Sequence, residues 1–555
     1  MLLYRVGINL SAEQNRDRLM EMILLEAKEL CHADGGTLYL RGDDDALHFE
    51  ILRTDSLGIA AGGTSDEAID LPPIPLFGED GEPNVANVAS YAAVLKRSVN
   101  IPDAYDHSDF DFSGTRAFDD RAGYRSTSFL TIPLVNSEDR VIGVLQLLNA
   151  QDPQTGEVVP FRHEDQEIVE ALASQAAVAL DNQLLLDAQK ELLQAFIRLI
   201  ASAIDAKSPY TGGHCERVPV VAEMLAHAAC GAKEGVFADF NLDEGQWEEL
   251  HIASWLHDCG KITTPIHIMD KATKLEAIFD RIELVRLRVE LLSREAEVAY
   301  LRALAAGEEA ASELEARYEA ARARLAEDLA FIERANIGGE FLAPEAQARI
   351  AELATRTVHV GGVARPLLEA DEVASLSIAR GTLSEDERLV INEHMVQTIQ
   401  MLEALPFPRH LRHVPEYAGG HHERMDGGGY PRGIFAGDLA VPARLMAIAD
   451  VFEALTAQDR PYKKGKSLSQ AMRIMGFMKR DNHIDPDLFD LFVTSGTYRA
   501  YAEQYLPPEL CDEVDEAALL AIAPKPYELP SEPERRARTS GFLPVYERRL
   551  RGARD

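Results

Sequence analysis

Seven residues of the sequence could bind metal ions, and most of them stand in apolar, helical stretches. An unpaired ionisable side chain is costly to bury, so a lone histidine in such a stretch is usually a hydrogen-bonded core residue. Seven together favour a metal site instead, because bound cations bring the charge that compensates for burial. They are His214, His257, Asp258, His394, His421, His422 and Asp450.

The chemistry of these side chains limits which metals could bind and which reactions the site could support. Imidazole and carboxylate together suit zinc, iron, manganese or nickel better than calcium or magnesium. Five histidines and two aspartates exceed the needs of one ion, so the set predicts two ions. Two ions that share a carboxylate stand about 3.5–4 Å apart, which suits displacement at phosphorus. Lys261 lies one helical turn beyond Asp258 and is expected to face the same site.

Composition sets the size and environment of the protein. A chain of 555 residues is too long for one hydrophobic core, so two or three domains are expected. It has 56 lysines and arginines against 92 aspartates and glutamates, a net charge of −36 that disfavours binding to nucleic acid or anionic membranes. The cysteines are few and scattered, which fits a reducing compartment. No stretch approaches the roughly 20 apolar residues of a membrane helix, so we expect a cytoplasmic protein.

The first third of the chain has the pattern of an α+β domain. A helical period over residues 11–31 begins with Ser11 as its cap, and strand-like segments follow. Two β-rich runs flank the polar turn Asn136–Arg140, which predicts a hairpin. A helical pattern resumes at Phe161 and continues to about Leu199. This order of elements favours an α+β fold.

This region resembles a GAF domain, a small-molecule sensor module, over residues 10–185. The segments IPLVNSEDRVIGVLQLLNA and FRHEDQEIVEALASQAAVAL carry the resemblance. GAF domains that bind cyclic nucleotides often have an Asn-Lys pair followed by Phe and Asp-Glu. The resemblance therefore implies either a sensor for an unknown small ligand or a GAF fold that serves only dimerisation. The corresponding residues here are Asn149, Ala150 in place of the lysine, Phe161, Glu164 and Asp165.

Four further segments follow the sensor region. A connecting helix, residues 186–204, is expected to couple two domains and to pair with a second copy, which predicts a homodimer. Residues 272–381 are rich in Ala, Glu, Arg and Leu and form an insertion in the helical region. The tail, residues 524–555, is expected to be flexible, with a basic end that pairs with the acidic body. A helical hairpin or coiled coil is predicted for the insertion from the apolar positions Leu314, Tyr318, Ala321, Leu325, Leu329 and Ile332.

The segments on either side of the insertion, residues 205–271 and 382–495, resemble one family. HDCGK resembles the signature of the HD phosphohydrolase superfamily, and HHERMDGGGYP resembles its HD-GYP subfamily of cyclic di-GMP phosphodiesterases. PYTGGHCERV and IADVFEALTAQDRPYKK extend the match. The resemblance implies a multidomain protein in which a long helix joins an α+β GAF-like sensor domain to an all-α HD-GYP domain with a helical insertion.

The resemblance also implies a division of the ligands between two divalent ions, with iron or manganese as the expected metals. Asp258 would bridge the ions together with a water or hydroxide that attacks phosphorus, and Lys261 would orient the phosphate or protonate the leaving oxygen. Tyr210 stands where some members have a glutamate for a third ion, so two are expected. One ion would be bound by His214, His257, Asp258 and Asp450, and the other by Asp258, His394, His421 and His422.

Other residues of the motifs have expected supporting roles. Glu423 and Asp426 would orient ligand imidazoles, although solvated loop carboxylates are nearly as well supported. Arg460 and Lys463 would contact substrate phosphate, or form a solvated basic patch. The pocket loop would be shaped by glycines that permit positive φ and by a proline that restricts the chain. These loop residues are Gly427, Gly429, Tyr430 and Pro431.

The function implied by the resemblance is hydrolysis of cyclic di-GMP to pGpG and possible further cleavage to GMP, regulated by the GAF domain. One alternative is a phosphohydrolase of another cyclic dinucleotide or nucleotide. A second alternative, from a different class, is a receptor or interaction protein that binds cyclic di-GMP without turnover. Degenerate members usually lose ligand residues, so the presence of all seven candidates favours catalysis.

Overall fold

The structure is a computed structural model that describes residues 2–13, 15–78, 80–207, 213–307, 309–339, 341–457 and 465–552. The chain divides into two compact units, Met1–Gln194 and Ala195–Asp555. In the described residues, no helix is both long and apolar enough to cross a membrane.

An antiparallel sheet forms the centre of the first unit. Its strands follow the order β3-β2-β1-β7-β6-β5, with β4 paired to β2 and β8 paired to β7. The two central strands, β1 and β7, are nearly fully buried. The strands are β1 Ala33–Arg41, β2 Ala46–Thr54, β3 Ile59–Gly62, β4 Ile74–Pro75, β5 Val99–Ile101, β6 Phe129–Val135, β7 Val141–Gln151 and β8 Val158–Val159.

Helices pack on this sheet, so the predicted α+β organisation is confirmed. Leu24 of the second helix, Leu145 of β7 and Leu172 of the fifth helix belong to one buried cluster. The expected helix over residues 11–31 is in fact two helices, and the cap of the second is Asn15, whose side chain accepts the Arg18 amide. The helices are α1 Leu2–Ala12, α2 Arg16–Cys31, α3 Val88–Leu95, α4 Ser113–Ala122 and α5 His163–Lys207.

The residues that correspond to the nucleotide-binding pattern of GAF domains make contacts within the domain. The side-chain oxygen of Asn149 accepts the amides of Thr127 and Ser128, and its nitrogen donates to the Tyr124 hydroxyl. Asn149 itself has φ 53°, a left-handed conformation that asparagine tolerates well. These contacts join β7 to the loop before β6, and the ligand of this domain stays an open prediction.

The second unit is mainly helical. Its main core joins the helices that carry the candidate ligands, and includes Val218, Leu250 and Phe452. One two-stranded hairpin, β9 Thr357–Val360 and β10 Val363–Pro366, was not expected from the sequence. The helices are α6 His214–Cys230, α7 Glu244–Leu256, α8 Ile266–Met269, α9 Ile282–Ala306, α10 Ala311–Ile337, α11 Pro344–Ala354, α12 Ala370–Leu376, α13 Glu385–Glu403, α14 Val414–Gly419, α15 Val441–Thr456, α16 Leu468–Arg480, α17 Pro486–Thr494, α18 Thr497–Tyr505, α19 Glu516–Leu520, α20 Glu532–Thr539 and α21 Pro544–Gly552.

The insertion contains the pair of helices α9 and α10. Of the predicted apolar stripe on α10, Leu314, Leu325 and Ile332 are buried, and the Tyr318 ring stacks on Tyr300 of α9 at 5.2 Å between ring centroids. Residues of α9, α10, α11 and α12, all within the insertion, form a separate small hydrophobic cluster. A coiled coil with another chain stays a prediction.

The C-terminal tail differs from the expected flexible segment. Its described residues form α20 and α21, and Tyr546 of α21 is only 2% exposed. At the basic end of the tail Arg549 lies 3.9 Å from Glu393, as expected, and earlier in the tail Arg535 pairs with Asp438. A composition rich in Pro, Glu and Arg predicted disorder because it cannot form a core of its own, but here it packs on an existing surface.

Candidate metal centre

The HDCGK segment follows α7 and packs against α13, where the Gly260 amide donates to the Thr398 hydroxyl. Asp243 and Gln246 form a capping box at the start of α7, and the helix ends at Leu256, directly before His257 and Asp258. A 3₁₀ turn, Cys259–Thr263, follows. A Cβ atom on Gly260 would lie 1.9 Å from the carbonyl oxygen of His394, so only glycine permits this approach. The glycine of the motif therefore brings His394 beside the His-Asp pair.

The other candidate ligands lie at helix ends or on buried helix faces. His214 is the first residue of α6, and Asp450 lies on α15. His394 lies on α13, whose start is fixed by a capping box between Ser384 and Glu387. The pair His421 and His422 follows directly after α14 and Gly420.

These residues form two groups that share Asp258. Within each group the candidate ligand atoms lie within 4.8 Å of one another. Asp258 Oδ2 lies 3.5 Å from His214 Nε2 and 3.2 Å from His257 Nε2, whereas Asp258 Oδ1 lies 3.3 Å from His394 Nε2. Each oxygen of one carboxylate thus faces a different group. The groups are His214, His257, Asp258 and Asp450, and Asp258, His394, His421 and His422.

Backbone carbonyls orient three of the imidazoles. His257 Nδ1 lies 2.7 Å from Ser254 O, His394 Nδ1 lies 2.6 Å from Ile391 O, and His421 Nδ1 lies 2.7 Å from Ala418 O. A carbonyl can only accept, so each Nδ1 bears the proton and each Nε2 has a free lone pair. The rings therefore present the nitrogen that a metal ion would bind.

Glu453 orients the fourth imidazole, a role that the sequence analysis did not assign. Its carboxylate contacts His214 Nδ1 through one oxygen and Arg217 Nε, at 2.6 Å, through the other. Glu453 lies three residues after Asp450 on α15, so both carboxylates lie on one helix face. The spacing of three residues between Asp450 and Glu453 is the sequence feature that could have predicted this role.

Several buried polar atoms in the centre fit a bound cation. His257 Nε2, His394 Nε2, His421 Nε2 and Asp258 Oδ1 have no hydrogen-bond partner among the described residues. An unsatisfied buried polar atom costs about 1–3 kcal/mol, and four that converge on one place need a common explanation. A nitrogen and carboxylate donor set suits a divalent transition metal. The residues present therefore fit two divalent ions that share Asp258.

The shifted pKa values of His421, His422 and Asp258 fit ligand roles, whereas burial lowers the pKa of His214 but its carboxylate partners outweigh burial and raise it well above its usual value. Burial lowers the pKa of His421 to about 4, and burial together with the charge of His421 lowers that of His422 well below its usual value. Burial would raise the pKa of Asp258, but Lys261 and His257 outweigh it and hold the pKa well below the usual value. Neutral imidazole and ionised carboxylate are the forms that bind metal ions.

Lys261 faces the centre. Its ammonium contacts Asp258 Oδ2, and its side chain is 23% exposed. A surface ion pair, the competing interpretation, does not describe this contact, because the partner carboxylate is buried among the candidate ligands.

Among the described residues, the hydrogen bonds of Glu423 and Asp426 go to backbone amides of the loop, which differs from the expectation that they orient imidazoles. Glu423 accepts the amides of Arg432, Gly433 and Ile434 at 2.8, 3.2 and 2.9 Å. Asp426 accepts the amide of Gly428 at 2.9 Å. Both carboxylates are close to the ligands in sequence, but they stabilise the loop because its amides point at them.

The glycines and the aromatic residue of the loop have separate roles. Gly427 has φ 74°, and a Cβ atom there would lie 2.4 Å from the Phe435 ring. Gly429 is needed for space alone, because its Cβ would lie 2.5 Å from the Cα of Glu423. The Tyr430 ring stacks on His422 at 4.9 Å and precedes the cis bond to Pro431. Tyr430 therefore contacts a candidate ligand as well as shaping the loop.

Two predicted substrate contacts, Arg460 and Lys463, lie outside the described residues, as does Tyr210. Their roles stay predictions.

Comparison with known proteins identifies two domains. The GAF domain family matches residues 15–180, and the HD domain family matches residues 308–488. The second range includes His394, His421, His422 and Asp450, whereas His214, His257 and Asp258 precede it.

Three characterised relatives share shorter segments with the chain. The 3′3′-cGAMP-specific phosphodiesterase 1 of Vibrio cholerae is 42% identical over 113 residues, 20% of this chain and 25% of that protein. The cyclic di-GMP phosphodiesterase response regulator RpfG of Xanthomonas campestris is 32% identical over 160 residues, 29% of this chain and 39% of that protein. The cyclic di-GMP phosphodiesterase of Thermotoga maritima is 36% identical over 93 residues, 17% of this chain and 25% of that protein. The chain thus spans well under half the length of each.

The two carboxylates Glu453 and Asp426 provide a test of which residue supports the metal ligands. We expect Glu453→Gln to weaken binding of the ion in the group that contains His214 about 10- to 100-fold, because glutamine has one acceptor oxygen and cannot accept from both His214 and Arg217. Asp426→Asn is the matched control and should retain the metal affinity of the unaltered protein. Titration of the metal-free protein with manganese, followed by elemental analysis, measures both. Equal losses in the two variants would contradict the assignment of Glu453.

Proposed function

We propose that this chain, which contains a GAF domain and an HD domain, is a metal-dependent phosphodiesterase that hydrolyses cyclic dinucleotides. The observation that carries the proposal is the position of Asp258, whose two oxygens face two separate groups of histidines. A shared carboxylate is the arrangement that two-metal phosphoryl-transfer sites use. The names of the relatives support the same reaction class.

The protein groups of the centre have distinct roles in this proposal. Bound divalent ions would supply Lewis acidity at the phosphate and an activated water near neutral pH. Asp258 would hold the two groups in register, and Glu453 would keep His214 in the tautomer that presents Nε2. Lys261, placed beside Asp258, would orient the phosphate or donate a proton to the leaving 3′-oxygen. Iron and manganese are the proposed metals.

Cyclic di-GMP is the proposed substrate, with pGpG as the first product and GMP as a second product of further cleavage. A hybrid substrate, 3′3′-cGAMP, is the second candidate, because the Vibrio cholerae relative with 42% identity carries that name. A receptor without turnover is the remaining alternative. The intact pair of ligand groups favours catalysis over that alternative.

The reaction can be tested by replacing His257, a candidate ligand, and His251, which belongs to neither ligand group, in separate variants. The manganese- or iron-loaded protein should cleave cyclic di-GMP or 3′3′-cGAMP to the linear dinucleotide. His257→Ala should reduce the rate to that without protein, because it removes a ligand of the first group. His251→Ala is the control, because His251 lies on α7 and pairs with Glu223 instead. Tight nucleotide binding without product, measured by chromatography, would favour the receptor.

Regulation by the GAF domain would act through the end of α5, which continues from the first unit into the second. The Lys207 ammonium donates to the carbonyls of Lys261 and Thr264 at 3.0 and 2.7 Å. Asp205 accepts the amides of Gly213 and Cys215, on either side of His214. The last turn of α5 thus contacts the backbone beside two residues of the centre, so a displacement of the helix would move both.

Replacement of Lys207 tests this route. Lys207→Met should lower kcat, because the loop that carries Lys261 loses three hydrogen bonds to its carbonyls. Lys207→Arg should restore part of the rate, since arginine also donates to carbonyls. Steady-state kinetics with metal analysis measures the effect. An unchanged kcat in the methionine variant would exclude this contact as the route.

Homodimerisation through α5 is part of the proposal. Four apolar residues at a spacing of seven, Val178, Leu185, Leu192 and Leu199, are between 49% and 64% exposed. A strict seven-residue apolar repeat is typical of a left-handed two-stranded coil, and a second copy of α5 presents the same repeat.

Disruption of this repeat should produce monomers. Substitution of Leu185 and Leu192 by Glu places like charges at the contact, which two copies cannot bury. Leu71→Glu, at an exposed leucine outside α5, is the control. Light scattering after size-exclusion chromatography gives the mass. A dimer that survives the double substitution would place the dimer contact elsewhere.

A further inference from the structure

The C-terminal strap, defined here as residues 531–552, lies on the loop that follows His422. Three successive points of the strap contact this loop. Arg535 pairs with Asp438, Arg538 Nη1 donates to the Gly433 carbonyl at 3.1 Å, and the Leu543 amide donates to the Pro431 carbonyl at 2.8 Å. The contacts follow the loop in reverse order, so the two segments lie side by side over their length.

The surfaces of strap and loop are closely fitted. The Arg538 guanidinium lies over the Phe435 ring at 5.0 Å. A Cβ atom on Gly433 would lie 3.2 Å from Arg538 Nη1, and one on Gly437 would lie 2.7 Å from Arg535 Nη1. Both glycines therefore lie close to the guanidinium groups of the strap.

The loop is bound from two sides. Glu423 accepts the amides of Arg432, Gly433 and Ile434, while the strap donates to the carbonyls of Pro431 and Gly433. A segment with three consecutive glycines, Gly427–Gly429, loses much conformational entropy when it is ordered. The hydrogen bonds from both sides offset that cost.

The loop leads directly to a candidate ligand. His257, His394 and His421 are oriented by backbone carbonyls, whereas the His422 ring packs on Tyr430. Tyr430 immediately precedes Pro431, whose carbonyl the strap binds. Movement of the strap would therefore release Tyr430 first and His422 next.

We propose that the strap is a positioning element for the second ligand group, formed by Asp258, His394, His421 and His422. It holds Tyr430 against His422 and so sets the affinity of this group for its ion, without contact to substrate. The inference rests on the metal-binding part of the proposed function.

Neighbouring arginines of α20 provide the test. Arg535→Ala and Arg538→Ala remove contacts to the loop, whereas Arg536→Ala is the matched control, because Arg536 pairs with exposed Glu532 on the same helix. A chain that ends at residue 530 removes the whole strap. The exchanged pair Arg535→Asp with Asp438→Arg restores one contact in the reverse sense.

The measurements are manganese titration of the metal-free protein and amide hydrogen exchange of residues 430–438, both without substrate. We expect the second ion to bind about 10- to 100-fold more weakly in the Arg535, Arg538 and truncated variants, with the first ion retained. Amide exchange in the loop should be faster in these variants. Arg536→Ala should match the unaltered protein, and the exchanged pair should recover most of the affinity.

Two results would overturn the proposal. One is unchanged metal affinity and loop exchange in the truncated chain. The other is a failure of the exchanged pair to recover affinity although circular dichroism shows a folded protein. A protein that binds two ions and shows these strap effects, but cleaves no cyclic dinucleotide, would refute the proposed reaction and leave the strap assignment intact.

Discussion

The buried carboxylate of Asp258 is the constraint on which the second unit depends. It lies among three histidines and Lys261, and it is almost fully excluded from solvent. Loss of a partner from a buried charge costs about 3–5 kcal/mol, so the groups around this carboxylate must remain in place. The seven candidate ligands come from α6, α13, α15 and the segments after α7 and α14. One small group of side chains thus connects three helices and two interhelical segments of the second unit.

Helix caps, one glycine and backbone carbonyls bring these elements to the carboxylate and orient their side chains. Capping boxes fix the starts of α7 and α13, so the direction in which each following residue of the helix points is determined. Gly260 then permits the 3₁₀ turn to touch the backbone of α13, where any side chain would collide. Carbonyls one helical turn earlier in sequence fix the tautomers of three imidazoles. The orientation of the ligands is therefore produced mainly by backbone groups, which side-chain motifs do not reveal.

Two segments outside the motifs reach the centre from different directions. The end of α5 contacts the backbone beside His214 and Lys261, and the C-terminal strap contacts the loop beyond His422. The first segment would act on one ligand group and the second on the other. The two ligand groups are thus contacted by different segments, although Asp258 is common to both groups.

The sequence by itself determined the residue types of the centre. Histidines and aspartates in apolar helices must be paired or bind cations, and the resemblance of HDCGK and HHERMDGGGYP to a known family implied which residues belong together. The α+β character of the first unit and the helical insertion also followed from period and turn signals, because these depend on neighbours in the chain.

Only the tertiary structure decided how the two oxygens of Asp258 are shared, and which carboxylates support the ligands. Glu423 and Asp426 were expected to orient imidazoles because of their proximity in sequence, yet Glu453 performs that role from another helix. The ordered tail was also beyond sequence reasoning. Its composition supports no core, and its helices are stabilised by contacts with a loop more than ninety residues away in the chain. Long-range contacts of this kind depend on packing geometry, which local periodicity and composition do not encode.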